Sequence, residues 1–370
     1  MKILQIGKYY PPRYGGIETV LETLSESLAR RGHTVTVICA NDKFSTEIQK
    51  KNGVRVIRLA CLGALFSQPI VPGLLLYLIR ESATADIVHI HSPNPLAEFF
   101  SFFSRNEIFV TYHADVVRQK GLLFAYSLLQ KVFLGRAKKI FVASEAIRRT
   151  SPTLAPFRDK IQVVPFGLAG ERFNTDAAAS SFLEKIQREY APYILFVGRL
   201  VAYKGLPVLL KAIQNIEAKL ILVGDGPDRK SLEALSQNLG CSDRVVFRGH
   251  VDDRNELAAL FQGAKLVVLP SVTRAEAFGM VLVEALGWRK PLVSTALDTG
   301  VSEVNDHGVT GLVVPAGDPA ALANAIHTIL NDASLAETFS DNAHKKFMEK
   351  YSADSMVAKY IEQYQGAMHG

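Results

Sequence analysis

Residues 195–206 read LFVGRLVAYKGL, and the fold follows from how that stretch changes character along its length. An apolar run ending at Gly198 has the length of a buried strand, and a helical apolar pattern begins near Gly205. A strand that feeds a loop and then a helix is half of a parallel βαβ unit, which places the loop at the carboxyl edge of a sheet. That loop carries two cations, Arg199 and Lys204. Residues 270–287, PSVTRAEAFGMVLVEALG, repeat the arrangement after the apolar run 266–269. Glu276 falls in the loop, Phe278 and Gly279 lead into a helix, and Glu284 lies more than a turn along it.

The same alternation extends in both directions. Towards the N-terminus, short apolar runs at 3–7, 35–39, 54–59, 87–91, 108–113, 140–144 and 163–166 predict strands of one doubly wound parallel unit. Its first helix is marked by Val20, Leu24 and Leu28 at i, i+4 and i+8, with Gly32 as the stop and a glycine loop, Gly15 and Gly16, in front. Around the opening stretch, runs at 193–197, 220–223, 245–247, 266–269, 292–294 and 312–314 predict a second unit of the same kind. The turn-rich piece 165–170 reads as the connection, and beyond Asp318 only helices are expected. The expected division is 1–168 and 169–352, with a terminal helix at 353–370 packing back on the first domain; a cleft between two such lobes is the default place for chemistry.

At 370 residues, nearly half apolar and about a fifth charged, the chain is an ordinary folded protein of two-domain size. Cys39, Cys61 and Cys241 are odd in number and far apart, which fits neither a disulfide framework nor a zinc site and implies a reducing, cytoplasmic setting. The apolar run after Lys2 is too short for a signal peptide. The most hydrophobic stretch, 62–79, is interrupted by Ser67, Gln68, Pro69 and Pro72 and is not expected to span a bilayer. Residues 1–170 hold 22 Lys and Arg against 12 Asp and Glu, whereas the remainder holds 20 against 24. The basic half suits an anionic membrane surface or a phosphate-bearing substrate. No zinc-finger, RRM or basic-helix signature accompanies that charge, so nucleic acid is not an expected partner.

The chemistry concentrates in the two loops. Arg offers a planar fork to phosphate oxygens and Lys a point charge, and together they offset the charge that builds on a departing nucleotide diphosphate. Taken alone, two loop cations are more often solvated side chains. A carboxylate accepts two hydroxyl hydrogen bonds at once, so vicinal diols of a sugar and a ribose suit Glu276 and Glu284. Glu284 stands among Val281, Leu282, Val283, Ala285 and Leu286, where a carboxylate wants a partner. The amides at Gly279, Met280 and Val281 form a helix start suited to phosphate. His89, His91, His250 and His307 show no metal-ligand spacing, with His91 a candidate for the rim of the cleft.

GRLVAYKG with the E-x7-E pair Glu276 and Glu284, then KPLVST, TGVSEVNDHGVTGLVVPAGDP and the N-terminal PPRYGGIETV, resembles glycosyltransferase family 4, the retaining GT-B enzymes. The resemblance covers nearly the whole chain. It implies two Rossmann-like domains, with Arg199 and Lys204 on the donor diphosphate, Glu276 on the transferred sugar and Glu284 on the ribose. It further implies that Gly249, His250 and Val251 line the base pocket, that Phe278, Gly279 and Met280 border the donor, and that Gly15 and Gly16 form a loop over phosphate and acceptor. His113, in EIFVTYHADVVRQK, would reach the transferred sugar. The catalytic set is thus His113, Glu276, Arg199 and Lys204, with no metal and no cofactor.

The sequence has no Asp-x-Asp to hold a metal on a diphosphate, and GDGPDR at 224–229 fails the dinucleotide fingerprint because Arg229 replaces the third glycine. The segments HADVVRQK and EAFGMVLVEALGWRKPLVST look like those of bacterial surface-polysaccharide and lipopolysaccharide enzymes using GDP-mannose, with UDP-sugars open. The expected partners are a nucleotide-diphosphate sugar and a glycan or lipid-linked acceptor. PLAEFFSFFSR and the basic, apolar run 118–139 suggest peripheral contact with an anionic membrane at its cytoplasmic face, against an equal case for ordinary helices. The alternatives are a non-catalytic nucleotide-sugar-binding subunit, or a GT-B-shaped epimerase or phosphorylase.

Overall fold

The computed structural model describes residues 1–370 apart from 14, 66–67, 116–119 and 369–370, and the backbone alone at 120–125. The chain forms two compact units, one of Met1–Ala169 with Ser352–Gly370 and one of Gly170–Tyr351.

The first unit is built on β1 (Lys2–Ile6), β2 (Thr34–Ala40), β3 (Glu47–Lys51) and β4 (Val54–Leu59), a short hairpin of β5 (Ala64–Leu65) and β6 (Gln68–Pro69), then β7 (Ile87–Ser92), β8 (Ile108–Tyr112), β9 (Ala137–Val142) and β10 (Ile161–Val163). The sheet order is β10-β9-β8-β7-β1-β2-β4-β3, parallel throughout except that β3 runs antiparallel on β4. The apolar pattern predicts neither β3 nor the short strands β5 and β6. The β3 sequence EIQKK is half-buried to exposed at an edge, where lysines discourage further pairing. The last two strands lie two or three residues earlier than the predicted 140–144 and 163–166. The first helix is Gly16–Arg30, so Gly15 is its cap and Gly16 its first residue, not part of the loop before it. The described residues of 62–79 include the antiparallel pair β5–β6 and the start of the helix Leu74–Ser82. None of the described helices is long and apolar enough to cross a membrane.

The helix Ala353–Met368 belongs to this unit and packs against Gly16–Arg30. Tyr360 and Tyr364, one turn apart on a single face, are fully buried against Phe141 and Phe109, with ring centroids at 4.4 and 5.1 Å. Fully burying side chains of this size contributes about 1.5–3 kcal/mol each, which anchors the chain end.

The second unit contains β11 (Tyr193–Val197), β12 (Lys219–Val223), β13 (Val245–Gly249), β14 (Leu266–Leu269), β15 (Leu292–Thr295) and β16 (Gly311–Val314), ordered β13-β12-β11-β14-β15-β16 and all parallel. The order reverses between β11 and β14. In open parallel sheets such a reversal leaves a crevice beyond the carboxyl ends of the two strands, because their crossover helices lie on opposite faces. The loops after β11 and β14 are the two the sequence singles out.

Candidate active site

Beyond β11 the chain makes a 3-10 turn, Ala202–Lys204, before the helix Leu206–Ile213. Gly205 joins them at φ 70°, and a Cβ there would lie 2.0 Å from the Pro270 carbonyl oxygen. This approach of the two loops brings Lys204 onto Glu276. Lys204 Nζ donates to Glu276 Oε2 at 2.5 Å, and Ser271 Oγ donates to the same oxygen at 3.0 Å. Both side chains are about nine-tenths buried, so the pair sits where water screens little. Thr295 Oγ1 in turn donates to the Ser271 carbonyl, tying β15 to the loop.

Arg199 contrasts with Lys204. It is exposed and makes no ion pair or side-chain hydrogen bond among the described residues. Its backbone is nevertheless fixed. Leu200 N–H donates to Asp225 at 3.0 Å and Gly198 N–H to Val223 at 2.9 Å, while Gly224 and Gly226 admit the neighbouring backbone. A Cβ at those glycines would meet Gly198 O at 2.1 Å and Leu200 O at 2.2 Å. The GDGPDR glycines therefore serve close loop packing, and Arg229 pairs with Glu233 at 2.8 Å.

Glu284 lies on the helix Met280–Gly287, and its Oε1 accepts from Arg172 at 2.8 Å. Arg172 comes from the 3-10 turn Gly170–Phe173 and is the one charged partner of this set that sequence reasoning missed. Gly279 caps the helix at φ 77° without any side-chain hydrogen bond, which leaves the leading amides to other acceptors. Phe278 is buried against Tyr351, and Met280 is half-buried. His250 is exposed and lies 3.0 Å from Asp252, with Val251 half-buried beside it. Thus Lys204 and Glu276 meet directly. Among the described residues no hydrogen bond or ion pair joins Arg199, Glu284 or His250 to that pair.

In the first unit the order reverses between β1 and β7, and His113 follows β8, the next strand. His113 is 6% exposed, and His91, expected at a rim, is 1% exposed and belongs to the interior. β7 is buried along its whole length, and alternation on a strand aims His89 and His91 the same way. His89, His91 and His113 stack with centroids 5.0 and 5.2 Å apart, and Phe166 continues the stack 4.9 Å from His113. Burial holds all three rings far below the usual imidazole range, His91 at about 3. Neutral rings are the result.

Near Gly15, burial raises the Glu18 carboxyl and lowers the Lys8 ammonium, each partly countered by the charge of the other. Cys39, Cys61 and Cys241 are free thiols. No group of three or more His, Cys, Asp or Glu with metal-holding geometry occurs among the described residues. Phe99 and Phe103, in PLAEFFSFFSR, are exposed, as are Leu128 and Val132 on the helix Lys120–Arg136. The first two residues of the basic run 118–139 lie outside the described residues.

Two parallel doubly wound units, one with a cation–carboxylate pair at its switch point, define a GT-B glycosyltransferase. Residues 14–172 match Glycosyltransferase Family 4 and residues 182–346 match Glycosyl transferases group 1, and the chain belongs to this family. It is similar to the O-antigen chain mannosyltransferase C of Escherichia coli, 33% identical over 98% of each chain. The D-rhamnosyltransferase WbpZ of Pseudomonas aeruginosa is also 33% identical, over 95% of this chain and 93% of that one. Among solved structures, sucrose-phosphate synthase from Thermosynechococcus elongatus overlays with a TM-score of 0.81 at 24% identity, covering 100% of this chain and 99% of that one.

Proposed function

We propose that the enzyme transfers a hexose, with retention at the anomeric carbon, from a nucleotide-diphosphate sugar to a glycan or lipid-linked acceptor in cell-surface polysaccharide synthesis. GDP-mannose is the favoured donor, a UDP-sugar the alternative. The observation that carries this reading is the buried Lys204–Glu276 pair at the switch point of β11 and β14, with Arg199, which makes no ion pair among the described residues, on the same loop as Lys204. The full-length similarity to an O-antigen mannosyltransferase supports the choice of sugar and product.

In this reading Arg199 and Lys204 bind the diphosphate, and the amides around Phe278, Gly279 and Met280 add the partial positive charge of a helix start. Glu276 accepts hydroxyl hydrogen bonds from the sugar, while Glu284, oriented by Arg172, accepts them from the ribose. Gly249, His250 and Val251 border the base. The 1–169 unit is assigned the acceptor, with Gly15 and Gly16 near phosphate and His113 on the transferred sugar. The bond from C1 to the β-phosphate oxygen breaks with its electron pair leaving on the diphosphate. The acceptor hydroxyl forms the new C1–O bond on the same face, and its proton passes to the departing phosphate oxygen. Arg199 and Lys204 stabilise the charge that grows on that oxygen, without a metal ion or other cofactor in the scheme.

Nucleoside diphosphate release across a panel of GDP- and UDP-sugars, with and without a cell-envelope glycolipid extract, tests the reading. Acceptor-dependent GDP release from GDP-mannose is expected; donor binding with no turnover on any acceptor would indicate a non-catalytic binding subunit. The exposed Phe99, Phe103, Leu128 and Val132, with Arg105 and Lys131 exposed on the same segments, support peripheral contact with an anionic cytoplasmic membrane face. Salt-sensitive flotation with anionic vesicles is expected, and its absence removes the membrane contact.

A further inference from the structure

His113 is the ring assigned to the transferred sugar, and its protonation pattern decides whether it offers that sugar a donor or an acceptor. Its Nε2 lies 2.9 Å from His91 Nδ1. His91 Nε2 lies 3.1 Å from Gln5 Oε1, near the carboxyl end of β1. An amide carbonyl only accepts, so His91 carries its proton on Nε2 and its Nδ1 is a bare lone pair. His113 must then donate from Nε2, which leaves its own Nδ1 bare. That Nδ1 has no hydrogen-bond partner among the described residues.

Gln5 Nε2 lies beside the Tyr364 hydroxyl, although it completes no hydrogen bond of good geometry. With an amide N–H on that side, the Tyr364 hydroxyl is free to donate to His89 Nδ1, 2.5 Å away. His89 then donates from Nε2 to Thr111 Oγ1 at 2.8 Å, which also meets the Tyr360 hydroxyl at 2.8 Å. The Gln5 carbonyl thus orders the His91–His113 arm, and β1, β7, β8 and the C-terminal helix each supply a member of the buried network.

We propose that Gln5 and His91 are positioning residues that fix His113 as the tautomer protonated at Nε2, so that its Nδ1 accepts a hydrogen bond from a hydroxyl of the transferred sugar. The inference rests on the sugar-facing assignment of His113 made above. The neutral state of the rings follows from the same burial: among the described residues no cation or carboxylate forms an ion pair with His91 or His113, and Lys8 acts on His113 only to disfavour its charge. A wrong tautomer in a comparable imidazole device costs up to about four orders of magnitude in turnover.

Long-range 1H–15N spectra of the protein labelled at histidine, with the His113 signals assigned by their loss in His113→Asn, read the tautomer with no reference to activity. A proton on Nε2 and a bare Nδ1, unchanged between about pH 6 and about pH 8, is expected; a proton on Nδ1 overturns the inference. Kinetics supply the second arm. Gln5→Met removes the acceptor from His91 and is expected to lower kcat by about tenfold or more with donor KM within about twofold, whereas Gln5→Glu retains an acceptor and recovers most of kcat. Wild-type kcat in Gln5→Met overturns the proposal. Wild-type turnover in His113→Asn would instead overturn the assignment of His113 to the sugar, while leaving the tautomer reading to the spectra.

Discussion

The two switch points of this enzyme solve the same architectural problem with opposite electrostatics. In the second unit the loops after β11 and β14 bury a charged pair, Lys204 with Glu276, and leave Arg199 exposed, with no ion pair among the described residues. In the first unit β7 and the end of β8 bury His89, His91 and His113 as neutral rings, His91 and His113 hydrogen-bonded in line with Gln5, and His89 with Tyr364 and the Thr111–Tyr360 pair. A charged site matches a diphosphate whose negative charge grows during reaction. A neutral, hydrogen-bonded one matches sugar hydroxyls, which need direction more than charge. The fold therefore supplies a position, and the side chains at each position determine which part of a substrate can use it.

The sharpest way to break the comparison is to unpair the charged side. Lys204→Met leaves Glu276 buried without its cation and is expected to lower turnover by orders of magnitude and stability by about 3–5 kcal/mol in urea unfolding. Adding Glu276→Leu should recover much of the stability and none of the turnover. A single variant of wild-type stability would contradict the burial argument. Gly205→Ala comes next, because its φ of 70° and the approach of Pro270 O strain any side chain; a loss of about 1–3 kcal/mol is expected, with reduced donor affinity.

On the neutral side the handle is pH. Unfolding exposes the histidines, whose ordinary pKa lies near 6.5, while folded His91 stays neutral down to about 3. Between those values the unfolded state binds more protons, so stability rises with pH across the window. It is complete above pH 6.5 and is lost as pH falls towards 3. Segment-resolved hydrogen exchange during acid titration should show β7 and β8 opening before β11 and β14; the reverse order would contradict the neutral-ring account. The smallest effect expected is that of Tyr364→Phe, which removes one hydroxyl from the network and should cost about 0.5–1.5 kcal/mol.

Much of this was legible in the chain itself. The opening stretch 195–206 and the segment 270–287 each announce a strand, a polar loop and a helix, and the structure places both loops where those signals put them. What periodicity could not reveal is that β14 pairs with β11, since strand order is a matter of crossover direction and not of local pattern. The Arg172–Glu284 pair joins residues 112 apart in sequence, and only the need of an apolar-flanked carboxylate for a partner pointed to it. β3 was missed because EIQKK owes its pairing to the edge of β4 and not to burial. His89 and His91 alternate with Val88 and Ile90, which shows that they face one way; that they face inward depends on Tyr360 and Tyr364 arriving from the end of the chain.

The central claim, that the second unit grips a nucleotide diphosphate through cations at its switch point, is tested most directly by calorimetric titration of GDP and UDP into the wild-type enzyme and Arg199→Ala. Arg199 is exposed and makes no ion pair among the described residues, so its removal should leave the melting temperature unchanged. The account predicts an affinity loss of about tenfold or more for whichever nucleotide binds, in keeping with a lost charge-assisted contact. Equal affinity in the two proteins would contradict it.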